Sequence, residues 1–133
     1  MAEPTPFTLN PGGKHRIAGL VHSSPRPGPR PTLVICHGFK GFMEWGFFPY
    51  LAELMADRGF TVVRFNFRGS GMQPGDQLVT DPEAFAQATF TQDLADLLSL
   101  LEVLESEVAP GLVDPAELGL LGHSRGGGTA LLS

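Results

Sequence analysis

A single cysteine, Cys36, among 133 residues excludes an internal disulfide and gives no support to an oxidising compartment. Histidine is sparse as well: His15, His22, His37 and His123 lie far apart, with no cysteine partners and no His-x-x-x-His spacing. No metal site and no cofactor are expected from them. Runs of basic residues are missing, since 9 Lys+Arg stand scattered against 14 Asp+Glu for a net charge of −5. Nucleic acid is therefore excluded as a partner, and the acidic excess bears on solubility. No apolar stretch is long enough to span a bilayer. The start, Met1-Ala2-Glu3-Pro4-Thr5-Pro6, lacks the basic residues and apolar run of a secretory signal, so a cytoplasmic protein without membrane contact is the expectation.

What is present is 42% hydrophobic residues, 17 glycines and 12 prolines, enough for one core and too little for two. Residues 7–9 and 17–21 alternate apolar and polar side chains around Asn10-Pro11-Gly12-Gly13, which predicts an opening β-hairpin. Residues 23–31 carry Pro25, Pro27, Pro29 and Pro31 with Gly28, a composition that sustains neither helix nor central strand. Thr32-Leu33-Val34-Ile35-Cys36 then reads as a strand buried on both faces. Phe48, Leu51, Leu54 and Met55 follow at helical spacing, with Pro49 in the first turn and Gly59 at the end. The unit repeats: a β-branched and aromatic strand over residues 61–67, a glycine loop, then a helix opened by Asp81-Pro82. Beyond it, Phe90, Leu94, Leu97, Leu98, Leu101, Leu104 and Val108 recur at three- and four-residue steps, one face packing and the other wet. A short strand at residues 118–121, a tight turn over 122–128 and a helix from Thr129 close the chain. Strands alternating with helices imply right-handed crossovers and the α/β class: a hairpin, then a mostly parallel sheet with helices on both faces.

Gly122-His123-Ser124-Arg125-Gly126 matches G-x-S-x-G between a strand and a helix. A sharp turn there strains the central residue and lifts its side chain above the sheet, and small residues on either side avoid a backbone clash. Ser124 is the candidate nucleophile, and the backbone amide of Arg125, at the helix start, is one candidate oxyanion donor. A second donor belongs on the neighbouring loop, His37-Gly38-Phe39, where the Phe39 amide is the candidate. Lys40 and Trp45 are candidate pocket residues, since such pockets favour aromatics with a few polar groups. His37 and His123 are read as structural rather than as the base. Asp76, Asp81, Asp93, Asp96 and Asp114 are read as turn, cap or solvated-face residues, and Cys36 as core. Whether Arg64 and Arg68 anchor the loop after their strand stays open. A phosphate loop is refused by spacing, because Gly128 stands where G-x-x-x-x-G-K-[ST] requires lysine.

The chain resembles the amino-terminal half of an α/β-hydrolase. Three motifs carry the likeness in family order: His37-Gly38-Phe39-Lys40-Gly41 as oxyanion loop, Asn66-Phe67-Arg68-Gly69-Ser70-Gly71 after the next strand, and Gly122-His123-Ser124-Arg125-Gly126-Gly127 as nucleophile elbow. The second is similar to the D-x-R-G-x-G loop of serine-aminopeptidase-like and esterase-like members, with Asn66 in place of the aspartate. Residues 37–45 look most like bacterial dienelactone-hydrolase-like proteins, esterases and peptidases, although true dienelactone hydrolases use cysteine where Ser124 stands. The resemblance implies hydrolysis of a small-molecule ester, amide or peptide through an acyl-enzyme, without a cofactor. It also implies a triad order of Ser, then Asp or Glu, then His. The nine residues after Ser124 contain none of these partners. Residues 1–133 are thus expected to be the amino-terminal portion of one domain, lacking later strands, triad acid and triad histidine. Alone, such a chain is expected to be inactive, since loss of the base costs on the order of 10⁶ in kcat in a comparable serine hydrolase. An apolar sheet edge left exposed would pair with other chains. The alternative is a non-catalytic binding module that retains the fold.

Overall fold

The computed structural model describes residues 3–13, 15–26 and 28–133. Met1, Ala2, Lys14 and Pro27 lie outside the described residues, and with them the parts of the amino-terminal and proline-segment readings that rest on Met1, Ala2 and Pro27. Five strands, β1 Thr5–Leu9, β2 Ile17–His22, β3 Arg30–Cys36, β4 Thr61–Asn66 and β5 Val113–Gly122, form one sheet in the order β1-β2-β4-β3-β5. Strands β1, β2 and β4 pair antiparallel in sequence across the sheet, whereas β4, β3 and β5 run parallel. The opening hairpin and the parallel strands are those expected from the residue pattern.

Alternation along the strands divides the core in two. Val34, Cys36, Val63 and Phe65 face Leu97, Leu100 and Leu104 of the helix α3 Phe90–Glu102 and its continuation. Ile35 and Val62 face Phe48 and Ala52 of α1 Phe48–Asp57. Every residue of β4 is buried, as a strand covered by helices on both faces demands. Helix α2, Pro82–Ala86, starts as read from the sequence: the Asp81 carboxylate accepts the Ala84 N–H at 3.1 Å. Among the described residues no helix is long and apolar enough to cross a membrane.

Several expectations are corrected. Strand β3 begins at Arg30 and includes Pro31, although it is central; the register shifts between Arg30 and Thr32. A proline at such a bulge forfeits no ladder bond, because none is made there. Strand β5 extends back to Val113, with residues 114–117 bulging opposite Pro31 and Asp114 accepting from Ala116 N. The last helix, α4 Arg125–Leu132, starts within the expected turn, directly after Ser124. Finally, Asp93 and Asp96 lie inside: they are 8% and 0% exposed, while Leu98 on the same helix is 46% exposed. Helix α3 also ends before Val103, and a single π-helical turn, Leu104–Val108, carries the apolar face onward.

Candidate active site

Parallel pairing brings the carboxyl ends of β3 and β5 side by side: Cys36 is in register with Gly122, and the His123 N–H donates to the Cys36 carbonyl at 3.1 Å. The loops leaving these two strands therefore meet. This is where open α/β sheets place their ligands.

Ser124 sits at the turn from β5 into α4 with φ 58° and ψ −120°, and its side chain is exposed. For a residue with a Cβ this backbone is strained, at a cost of about 1–3 kcal/mol, and it persists only where the surroundings enforce it. Here they do. Gly126 N–H donates to His123 O at 3.0 Å and Gly127 N–H to Ser124 O at 3.0 Å. A Cβ on Gly126 would collide with the carbonyl oxygens of Cys36 and His37, and one on Gly122 with the backbone of Gly126 and Gly127. Both positions require glycine.

The facing loop is a turn closed by Gly41 N–H to Gly38 O at 2.9 Å, with Lys40 at φ 62°. Lys40 and Ser124 are the non-glycine residues with positive φ among those described, and both border one cleft. A Cβ built on Gly38 would stand 3.1 Å from Ser124 Cβ and 3.4 Å from Arg125 N, so the loop backbone runs in contact with the elbow. The cleft, about 160 Å³, is lined by Gly38, Phe39, Lys40, Gly41, Trp45, His123 and Ser124. A larger cavity, about 260 Å³, opens beside the end of β4 between His15, Arg16, Asn66, Arg68 and Asp81, and Ser124 does not line it.

The histidines have other partners. His37 is 5% exposed; its Nε2 accepts from Phe67 N–H at 3.0 Å, so the proton is assigned to Nδ1, which donates to Gly38 O at 2.9 Å. Burial pushes its pKa down to about 4, against the raising effect of the Gly38 contact. It thereby ties the loop to the end of β4 as a neutral ring. The His123 ring lies 4.7 Å from that of Trp45 at 34°, forming one wall of the cleft. Cys36 is fully buried and its thiol is pushed up to about 12 by burial, with the Asp93 charge adding to it. It is no nucleophile at neutral pH.

The motif after β4 braces these loops. Asn66 Oδ1 accepts from Met43 N–H at 2.7 Å while its Nδ2 donates to Met72 O at 3.3 Å, a pair of bonds an amide makes and an ionised carboxylate cannot. Arg64 is 4% exposed and donates to His22 Nε2, Met43 O and Glu44 Oε2 at 3.0, 2.8 and 3.0 Å. His22 is lowered to about 4 by burial and then by Arg64, Glu44 opposing. Arg68 binds Asp96 twice, backbone N–H to Oδ2 at 2.8 Å and Nε to Oδ1 at 2.6 Å, and reaches Gly12 O at 3.0 Å. Of the two arginines left open by the sequence, Arg68 anchors the loop after its own strand, whereas Arg64 anchors the loop after β3 at Met43 and Glu44. Sequence reasoning missed Asp93 and Asp96, though each shares a helix face with Leu97 and Leu100; a carboxylate on a packing face signals a buried cationic partner. Asp93 pairs with Arg125 at 3.1 Å and is pushed up to about 6, chiefly by burial, with Arg125 lowering and Asp96 raising it.

Comparison with known proteins agrees with this fold. The sequence profile of the family described as "Serine aminopeptidase, S33" matches residues 27–133. An uncharacterized 31.7 kDa protein from the traX-finO intergenic region of Escherichia coli is 30% identical over 98 residues, covering 74% of this chain. This chain spans only 30% of that relative's length. Among solved structures, ferulic acid-bound Est1E from Butyrivibrio proteoclasticus superposes with a TM-score of 0.75 at 20% identity, over 95% of this chain and 45% of that one. An acylaminoacyl peptidase from Pyrococcus horikoshii gives a TM-score of 0.76 at 23% identity, over 98% of this chain and 21% of that one. At these identities the structures establish the fold.

Proposed function

Because the chain belongs to the serine aminopeptidase S33 family of α/β-hydrolases, we infer that it is the amino-terminal part of a serine hydrolase working through an acyl-enzyme on Ser124. The observation that carries this reading is the strained backbone of Ser124, φ 58°, at the mouth of the cleft. Strain of this kind is retained where it holds a reacting group in place. Ser124 Oγ would attack the acyl carbon of an ester or amide, its proton passing to a base. The N–H groups of Phe39 and Arg125 would donate to the carbonyl oxygen as it becomes an oxyanion, the latter backed by the amino terminus of α4. Collapse of the tetrahedral intermediate expels the alcohol or amine, and water then releases the acid.

The base and its acid partner are to be sought outside these 133 residues, since His37 is occupied by Phe67 and Gly38, the His123 ring packs against Trp45 with no hydrogen bond to Ser124 among the described residues, and the nine residues after Ser124 hold no His, Asp or Glu. On this reading the 133-residue segment alone is inert. The substrate class is supported by the cleft, whose walls join the Trp45 and His123 rings to backbone amides without a lining carboxylate.

A fluorophosphonate probe tests the proposal on the protein expressed from its complete coding sequence. Labelling that disappears in Ser124→Ala is the expected result. A folded protein that takes up no label overturns the enzyme reading in favour of a non-catalytic module with this fold.

A further inference from the structure

The oxyanion loop has little packing of its own at the residue that matters most. Phe39 is 56% exposed; besides Lys40 Nζ of its own loop, 6.0 Å from the ring centroid, two other elements contact its ring. Phe85 of α2 stacks on it, centroids 5.7 Å apart at 21°. On it also lies the guanidinium of Arg125, 5.8 Å from the ring centroid, and the same guanidinium stands 5.6 Å from the ring of Phe90 at the start of α3. Arg125 Nε is 3.1 Å from Asp93 Oδ2 without the alignment of a hydrogen bond, and both Nε and Nη2 are buried with no hydrogen-bond partner among the described residues. A planar cation suits two aromatic faces. As a source of stability, however, the arrangement is poor. The side chain is still 23% exposed, and a partly exposed ion pair with one ill-aligned carboxylate contributes little. What the guanidinium does supply is a link between the loop, the elbow and α3.

We propose that the side chain of Arg125 is a positioning residue: it bridges Phe39, Phe90 and Asp93 so that the Phe39 amide is held against the elbow from which Arg125 supplies its own amide. One residue would then set both oxyanion donors, one by its backbone and the other through the ring it covers. This rests on the serine-hydrolase reading above.

The test uses the protein from its complete coding sequence, with p-nitrophenyl acetate kinetics and fluorophosphonate labelling in parallel. Arg125→Met keeps the stem and removes the planar cation; kcat is expected to fall about 10²-fold with KM within about threefold, the signature of a misplaced donor rather than a lost binding contact. Phe39→Ala keeps the amide but removes the ring that Arg125 grips, and should lower kcat comparably. The double variant should fall no further than either single one, because both break the same contact. A kcat within about threefold of the parent in Arg125→Met, or effects that multiply in the double variant, overturns the proposal. Should Arg125→Met fail to fold, Phe90→Leu, which removes the other ring under the guanidinium and leaves the cleft lining untouched, is expected to lower kcat, and an unchanged kcat overturns the proposal. Absence of label on the unsubstituted protein overturns the hydrolase reading itself; label with an unaffected Arg125→Met overturns only the clamp.

Discussion

At the scale of single residues, the protonation states around the loops set how the protein responds to acid. His22 and His37 both titrate near 4 in the folded protein, mainly through burial, whereas an unfolded chain protonates them near 6.5. Between those values the unfolded state binds more protons, so stability falls as the pH drops below about 6.5. Asp93, raised to about 6, acts the other way: below about 6 its folded carboxyl holds a proton that the unfolded state has released, and Asp96, raised by burial, adds in the same direction. The expected urea midpoint is flat above pH 6.5, declines just below it and declines more gently below 6. Asp93→Asn removes one offset and steepens the lower limb. A midpoint that rises from pH 7 to pH 5 would contradict the assignment. The glycines of the elbow were legible in sequence because only that residue type fits that turn, and Ser124 was legible from its place between them. The work of Asn66 and His37 was not legible, because each bonds to residues far away in the chain.

At the scale of elements, helix α3 shows what a hydrophobic pattern conveys and what it conceals. Its apolar period locates the helix, yet the packed face includes Asp93 and Asp96 and leaves Leu98 exposed. The reason lies across the interface, where Arg68 and Arg125 stand over those carboxylates. Removing Asp96 strands a guanidinium that is only 13% exposed. Asp96→Ala should therefore destabilise by about 3–5 kcal/mol in chemical denaturation, while Glu105→Ala on the wet face should change stability by about 0.5 kcal/mol or less. Equal effects would mean that the Arg68 tie carries nothing. Pro31 makes the complementary point. Proline content alone argues against a central strand, and only the bulged register with β5 shows why one accommodates it.

At the scale of the whole molecule, β5 pairs with β3 alone among the described strands, and its other edge lies open. Leu118, Leu131 and Leu132 are 41%, 89% and 63% exposed beside it. An unpaired edge flanked by leucines invites pairing with another chain. The 133-residue segment by itself is expected to elute at apparent masses that grow with concentration in size-exclusion chromatography. A single monomeric peak at every concentration would refute this. The order of strands and helices, the elbow and the opposing loop were set by local sequence, because period, turn chemistry and glycine requirements act between near neighbours. Which carboxylates are buried, where the prolines are tolerated and which rings enclose Arg125 were decided only in three dimensions, because desolvation and ion pairing depend on groups that the fold brings together from distant parts of the chain.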